Sequence, residues 1–449
     1  MATILAPYNT AMRLGNGFNS FTQQLCIDNA VVRDEDAERS QDIKLAEKDI
    51  PQEVTYKTSI VDKVTDVTSA MNISAAFLIK YDSFDAKGKG DFLNTSKVKE
   101  SDVSFMISVK VVNQVIQDHS LTKFNPIGGL KSQNFAEIYG DCFISGFQFG
   151  GEFTAVISVK AKEKEDSEDI KAKARILFTK DKLDLNLKGK FDKESDSFFT
   201  ENETTISVTY TGGGQHLKER NEDWTFETMK AAALKFPTLV AETPMRTHAI
   251  LTKYSSLRSY FAANIPTSLP SFEHAGVYTA LLQEAYLDYK TVAKNLQVLA
   301  YDVSSGTQIL LESRAAKTSQ ENTDADSTAS SDDSMTCVTK PVSLGKDNYA
   351  MPPLIVKHPF PPTLQGVEDA RSQVRLMLNR IVQEVDVIAR MPELAAREDR
   401  DLPYMSPFLF KELLPIGEPV IKAGTSNPAA PADSIPSLNQ QISGGRIFA

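Results

Sequence analysis

Cysteine is scarce in this chain. The three present among 449 residues, Cys26, Cys142 and Cys337, are an odd number at wide spacing. They offer neither a disulfide framework nor a CxxC pair, and a reducing compartment is the simpler setting. Histidine is scarce too: His119, His216, His248, His274 and His358 include no HxH or HxxxH pair, so metal-ligand spacing is lacking and no cofactor is expected. Walker A, GxSxG and HExxH motifs are absent, which leaves an enzyme reading without support. Cys142 has no nucleophile signature around it and reads as a small buried residue beside a strand. Positive charge is in deficit. Lys and Arg number 49 against 59 Asp and Glu, a net charge of −10, so nucleic acid is not an expected partner. No apolar run approaches the roughly 18 to 20 residues of a membrane helix. A bilayer could be entered only by β-strands or an interfacial surface. The N-terminus has neither a basic n-region nor an apolar h-region, so a cytoplasmic protein, or one released by a nonclassical route, is expected.

What the chain does have is period-two patterning between glycine groups. The stretch Phe135–Tyr210 contains Gly150 and Gly151, and Gly212, Gly213 and Gly214 follow it. Between them, Ile170, Ala172, Ala174, Ile176 and Phe178 alternate with mostly basic residues. Leu183, Leu185, Leu187 and Phe191 alternate with Asp and Lys. Alternation of this kind predicts strands, and residues 179–182 can turn the chain between them. One interpretation is an ordinary hairpin with one face on the core and one in water, its glycines marking turns or bulges. The layout recurs upstream. Met71–Tyr81 alternates, with Met71, Ile73, Phe77, Ile79 and Tyr81 on one side, and Val103–Val112 is dense in β-branched residues and reads as a central strand. A partner strand at Lys89–Lys99 would be mostly polar. Strand–insert–strand therefore occurs twice, at 54–112 and 143–210.

The remainder reads as turn-rich strands over 4–30, then helices from Glu222 onward. Residues 222–235 are strong helix formers, with Pro237 and Pro244 as breakers. Ile250–Phe261 is short and amphipathic. Val277, Leu281, Ala285, Tyr289, Val292, Leu296 and Leu299 form one apolar helical stripe. Val374, Leu378, Ile381, Val385 and Ile388 keep a heptad rhythm for about two heptads, a short coiled-coil pattern expected to pack on that stripe. Residues 317–340 are acidic and low in complexity, and 423–449 are rich in Pro, Ala and Ser; both read as disordered.

Tyr139, Gly140, Asp141, Cys142 and Phe143, followed by Gly150-Gly151, Gly212-Gly213 and Trp224, resemble the signature of the membrane-attack-complex/perforin (MACPF) family, within the grouping that includes the cholesterol-dependent cytolysins. Asp141 and Cys142 stand where that signature has a hydroxyl residue and a histidine. The resemblance covers about residues 5–262. It implies an α+β fold: a bent four-stranded antiparallel sheet with two helical or hairpin inserts, about 61–100 and 162–203, in a domain of residues 1–265. A helical segment (266–316), the acidic linker (317–340) and a helical C-terminal region (341–415) would follow. It also implies glycines at the sheet bend (Gly150, Gly151, Gly212, Gly213, Gly214). The alternating apolar residues named above would form the lipid face of membrane hairpins. Membrane lipid of unspecified identity and further copies of the chain would be the partners, and assembly would end in a pore. The alternative is a non-lytic member acting as an interaction or assembly module.

Overall fold

The architecture is that of a computed structural model. It describes residues 4–34, 51–61, 63–81, 101, 103–129, 134–160, 202–214, 217, 223–263, 271–316, 358–397, 400 and 402–420. In chain order the strands are β1 (Ile4–Pro7), β2 (Gly17–Asn19), β3 (Gln24–Leu25), β4 (Val31–Arg33), β5 (Glu53–Ile60), β6 (Val103–Gln117), β7 (Leu121–Phe124), β8 (Cys142–Lys160), β9 (Glu203–Thr211), β10 (Met245–Lys253), β11 (Gln308–Leu311) and β12 (Ile416–Pro419). The α-helices are α1 (Val64–Ala70), α2 (Ala75–Tyr81), α3 (Phe135–Tyr139), α4 (Phe226–Glu242), α5 (Arg258–Ala262), α6 (Glu273–Ser304), α7 (Leu364–Arg390) and α8 (Pro407–Glu412).

The two longest strands make the centre of the sheet. β6 and β8 run antiparallel from Val103↔Val159 to Gln117↔Gly146, with one register shift between Val112 and Gln114. β5 flanks β6 and β9 flanks β8, both antiparallel, giving the order β5–β6–β8–β9. β5 ends at Ile60, β6 begins at Val103, β8 ends at Lys160 and β9 begins at Glu203, all at one end of the sheet. Residues 61–102 and 161–202 therefore leave and re-enter the sheet at the same end. At the other end β8 pairs with β10, β10 with β1, and β2 with the start of β8.

Period two gives this sheet two unlike faces. Phe105, Ile107, Val109 and Val111 of β6 and Phe153, Ala155, Ile157 and Val159 of β8 pack against Met229, Ala232, Ala233, Phe236, Leu239 and Val240 of α4. Burying each large apolar side chain stabilises by about 1.5–3 kcal/mol. The opposite face presents Ser104, Ser108, Thr154 and Ser158, with Met106 and Val156 as its apolar residues. The helices α1 and α2 lie over this hydroxyl-rich face. Val64, Val67, Met71 and Leu78 contact Met106 and Val156.

A helical layer completes the structure. Leu282, Tyr286, Tyr289, Val292 and Leu296 of α6 share one apolar cluster with Val374, Met377, Ile381, Val385 and Ile388 of α7, so the two stripes do pack together. Thr363 caps α7 by accepting from Gly366 N at 3.1 Å. β11 and β12 then join the segments that follow α6 and α8.

The structure corrects four sequence expectations. The alternating stretch Met71–Tyr81 is not a strand: it is the end of α1, a tight corner at Asn72, and α2. Within the alternating set, Ile73, Phe77 and Tyr81 are four apart, so their spacing also suits a helix, and Phe77 and Tyr81 sit one turn apart with ring centroids at 5.0 Å. Pro237 does not end its helix, which runs on to Glu242. A helical proline costs about 3 kcal/mol, and the burial of Phe236, Leu239 and Val240 on the sheet outweighs it. Ile250–Phe261 is mostly not helical, because Ile250 and Leu251 belong to β10, followed by a 3-10 turn and α5. The α6 stripe is rotated: Val277 and Leu281 are 72% and 55% exposed, while Ala275, Thr279 and Leu282 are buried. Steps of four residues drift about 40° per turn around a 3.6-residue helix, which carries the first two positions off the packed face. The alternating residues Ile170–Phe191, the stretch Lys89–Lys99, the acidic segment 317–340 and the tail 423–449 lie outside the described residues.

Candidate functional site: the docked insert and its cradle

The five signature residues come together where β2 meets β8. Tyr139 ends α3; its hydroxyl donates to Asn125 O (2.7 Å) and accepts from Ile127 N (2.9 Å), and its carbonyl accepts from Tyr254 Oη (2.8 Å). Its ring belongs to an aromatic cluster with Phe124, Phe135, Phe143, Tyr254 and Tyr260. Gly140 has φ +74°, and a β-carbon there would lie 2.1 Å from Phe18 O. Only glycine combines that conformation with that approach. Asp141, buried, accepts from Ser20 N at 2.7 Å and from Ser20 Oγ at 2.6 Å. Burial raises its carboxyl above the ordinary value, against the lowering effect of the Ser20 hydrogen bonds. Cys142 donates its thiol proton to Phe18 O at 3.2 Å. Burial, then the neighbouring Asp141 charge, pushes that thiol well up. Cys26, nearby, is pushed up to about 12, chiefly by burial. Cys142, buried and held protonated, is a packing group at this junction.

Asp141 has a longer reach through Ser20. It fixes the start of the loop between β2 and β3, where Asn19 Oδ1 also accepts from Phe21 N (3.0 Å) and Thr22 N (2.9 Å). Two side chains leave this loop toward the insert. Phe21 stacks on Phe272 at 4.9 Å and joins the α6–α7 cluster. Gln23 donates to Asn72 O at 2.7 Å and accepts from Ser74 N at 3.2 Å. The corner between α1 and α2 is thus held by both hydrogen-bonding groups of one amide. Gln24 also donates to the Tyr81 hydroxyl at the end of α2.

The sheet grips the same corner from below. Asn72, in the left-handed region at φ +56°, places Nδ2 3.1 Å from His248 Nε2 of β10. Lys110 of β6 donates to Ala70 O, the last residue of α1, at 2.9 Å, which suits a cation at a helix C-terminus. Lys110 Nζ and His248 Nε2 lie 3.6 Å and 3.7 Å from Glu152 Oε1 of β8. From above, Lys63 pairs with Glu284 of α6 at 2.9 Å and Lys80 with Asp386 of α7 at 2.7 Å.

The glycine groups also meet. β8 pairs with β10 up to Gly150 and with β9 from Glu152, so Gly150 and Gly151 sit where its partner changes. A β-carbon on Gly150 would lie 1.9 Å from Val111 O, and one on Gly151 2.4 Å from Val240 Cγ2 of α4. Gly212, Gly213 and Gly214 have φ of +85°, +77° and +68°. A β-carbon on Gly212 would be 2.8 Å from Gly150 O. Trp224 packs edge-on against Phe153, with ring centroids 6.4 Å apart.

Of the apolar insert residues described, Met71 and Ile79 are buried, Ile73 and Phe77 are half-buried, and Tyr81 is exposed. Sequence reasoning missed Ser20, Gln23, Asn72, Lys110 and His248. Asn72 carried a usable signal, since Asn tolerates the left-handed conformation of a tight corner. The others are joined only by folding, as in the Ser20–Asp141 contact across 121 positions. Among the described residues no group of His, Cys, Asp and Glu could hold a metal ion, and no helix is long and apolar enough to cross a membrane.

No family model and no curated protein matches the chain. Among solved structures it is similar to stonustoxin, at 11% identity and TM-score 0.36, over 68% of this chain and 41% of that one. It is similar to GNIP1Aa from Chromobacterium piscinae, at 11% identity and TM-score 0.31, over 56% of this chain and 52% of that one. It is also similar to the human-specific toxin intermedilysin, at 13% identity and TM-score 0.27, over 45% of this chain and 41% of that one. The chain thus spans about half or less of the length of each of these proteins, and the likeness is distant.

Proposed function

We propose that this chain is a MACPF-like protein that associates with a membrane, assembles side by side with further copies, and converts its two inserts into β-hairpins. The observation that carries the reading is the placement of residues 61–102 and 161–202. Each is 42 residues long, and both leave and re-enter the β5–β6–β8–β9 part of an eight-stranded antiparallel sheet at one end. A spanning strand needs roughly 9 to 11 residues, so each insert has length for two strands and their turn. Continued strands would be covalent extensions of β5, β6, β8 and β9. Closing them across several copies would satisfy every backbone group inside lipid.

On this reading Met71, Ile73, Phe77, Ile79 and Tyr81 form one lipid-facing row. Ile170, Ala172, Ala174, Ile176 and Phe178 form another, with Leu183, Leu185, Leu187 and Phe191 opposite them. Among the described residues no strand covers the outer side of β5 or of β9. Those edges are the surfaces through which neighbouring copies would pair. Gly150, Gly151 and Gly212–Gly214 are the positions at which the sheet would bend or shift as α4 and the inserts move.

The test is release of an encapsulated dye from vesicles of defined lipid composition, read together with oligomer size on the membrane. Release accompanied by a membrane-bound oligomer supports the proposal. An oligomer or bound monomer that leaves vesicles sealed contradicts the pore step and favours a non-lytic assembly role.

A further inference from the structure

The α1–α2 insert is packed between the sheet below it and the α6–α7 helices above it. Beneath it the sheet offers Ser104, Ser108, Thr154 and Ser158, around a small apolar patch in which Met106 and Val156 meet Val64, Val67, Met71 and Leu78. The corner contacts on that side, from Lys110, Gln23 and His248, are polar as well. Such groups exchange their partners for water with small net change once exposed. Above the insert, Ala76 and Ile79 of α2, each 1% exposed, enter the apolar cluster built by α6 and α7. Leu287 of α6 reaches across to the cluster formed by Val64, Val67 and Met71. Pulling α2 from α6 and α7 uncovers apolar surface on both sides, a change that water does not compensate. The ion pairs Lys63–Glu284 and Lys80–Asp386 tie the same two layers together. They are partly exposed and contribute alignment more than strength.

We infer that the α6–α7 helix pair is an autoinhibitory clamp on the first insert: α1 and α2 leave the sheet only after the pair lifts from them. The inference rests on the proposed conversion of that insert to a hairpin, and gives the conversion its gate. The clamp grips α2 through Ala76 and Ile79, and grips α1 through Leu287 and Glu284. Phe21 locks into the same cluster from the β2–β3 loop, so lifting the pair also frees one anchor of the loop that holds Asn72.

Two measurements test it. In a Cys26→Ser, Cys337→Ser background, Lys80→Cys and Asp386→Cys are joined by a short reducible bis-thiosulfonate. Phosphatidylcholine–phosphatidylserine–sterol vesicles loaded with dye are then added. The linked protein is expected to release no dye until the linker is reduced; release at the unlinked rate overturns the clamp. The second needs no membrane. Ile79→Ala is expected to speed amide exchange over residues 75–81 by about tenfold or more, with exchange in β6 and β8 unchanged, and Ile79→Val to fall between. Exchange over 75–81 at the wild-type rate in Ile79→Ala overturns the clamp. Unlinked protein that never releases dye contradicts the pore reading, while the exchange comparison still decides whether the helix pair holds the insert.

Discussion

At the scale of single residues, the signature block acts through geometry. Gly140 combines a left-handed backbone with a 2.1 Å approach to Phe18 O. Gly140→Ala should therefore destabilise the fold by about 2 kcal/mol or more, read as a lower denaturant midpoint. Cys142→Ala removes a buried thiol and one hydrogen bond to Phe18 O. It should lower stability by about 1–2 kcal/mol and leave vesicle binding and release as they were; lost release with the fold intact would return Cys142 to consideration as a reactive group. Asp141 has a sign that can be worked out. Its carboxyl is raised in the folded state, mainly by burial, so the folded protein holds that proton more tightly than the unfolded chain does. The resulting stability is fully present below the ordinary carboxylate value of about 3.9 and is lost as pH rises through the raised value. Wild type should accordingly gain stability relative to Asp141→Asn as pH falls from neutral into the carboxylate range. Parallel denaturation curves at every pH would refute this. The residues of the block were legible as a motif. Their mechanical role was not, because Asp141 acts through Ser20, which nothing local in the sequence connects to it.

At the scale of elements, the strands β6 and β8 were readable because β-branched and alternating residues leave few alternatives. The length of β8, its change of partner at Gly150-Gly151 and the outer strands β1 and β10 depend on contacts distant in sequence. The segment Met71–Tyr81 shows the ambiguity most clearly. Apolar residues four apart satisfy a strand and a helix alike, and the apolar cluster of α6 and α7 decides in favour of the helix by accepting Ala76 and Ile79. The corner between α1 and α2 supplies a prediction at this scale. Asn72→Gly keeps the φ +56° corner without strain but loses the His248 contact. Asn72→Ala loses the contact and adds about 1–2 kcal/mol of left-handed strain. Exchange over residues 64–81 should rise in both, and more in Asn72→Ala. Equal rates in the two variants would mean that the backbone conformation does not hold the corner.

At the scale of the whole molecule, the apolar face of the sheet is closed by α4 and its hydroxyl face by the first insert, itself covered by α6 and α7. The layers are held differently: α4 by a broad field of large apolar side chains, the insert's underside by a smaller apolar patch around Met106 and Val156 together with hydrogen bonds to its corner. The central claim is that residues 71–81 exchange a helical for a strand conformation on a membrane. The most direct measurement attaches an environment-sensitive fluorophore to single cysteines placed in turn at positions 73 to 80, and records emission before and after membrane assembly. The account predicts an irregular profile in solution and, on assembly, a period-two profile with Ile73, Phe77 and Ile79 in lipid and Ser74, Leu78 and Lys80 in water. A profile on the assembled protein that keeps its solution pattern would contradict it.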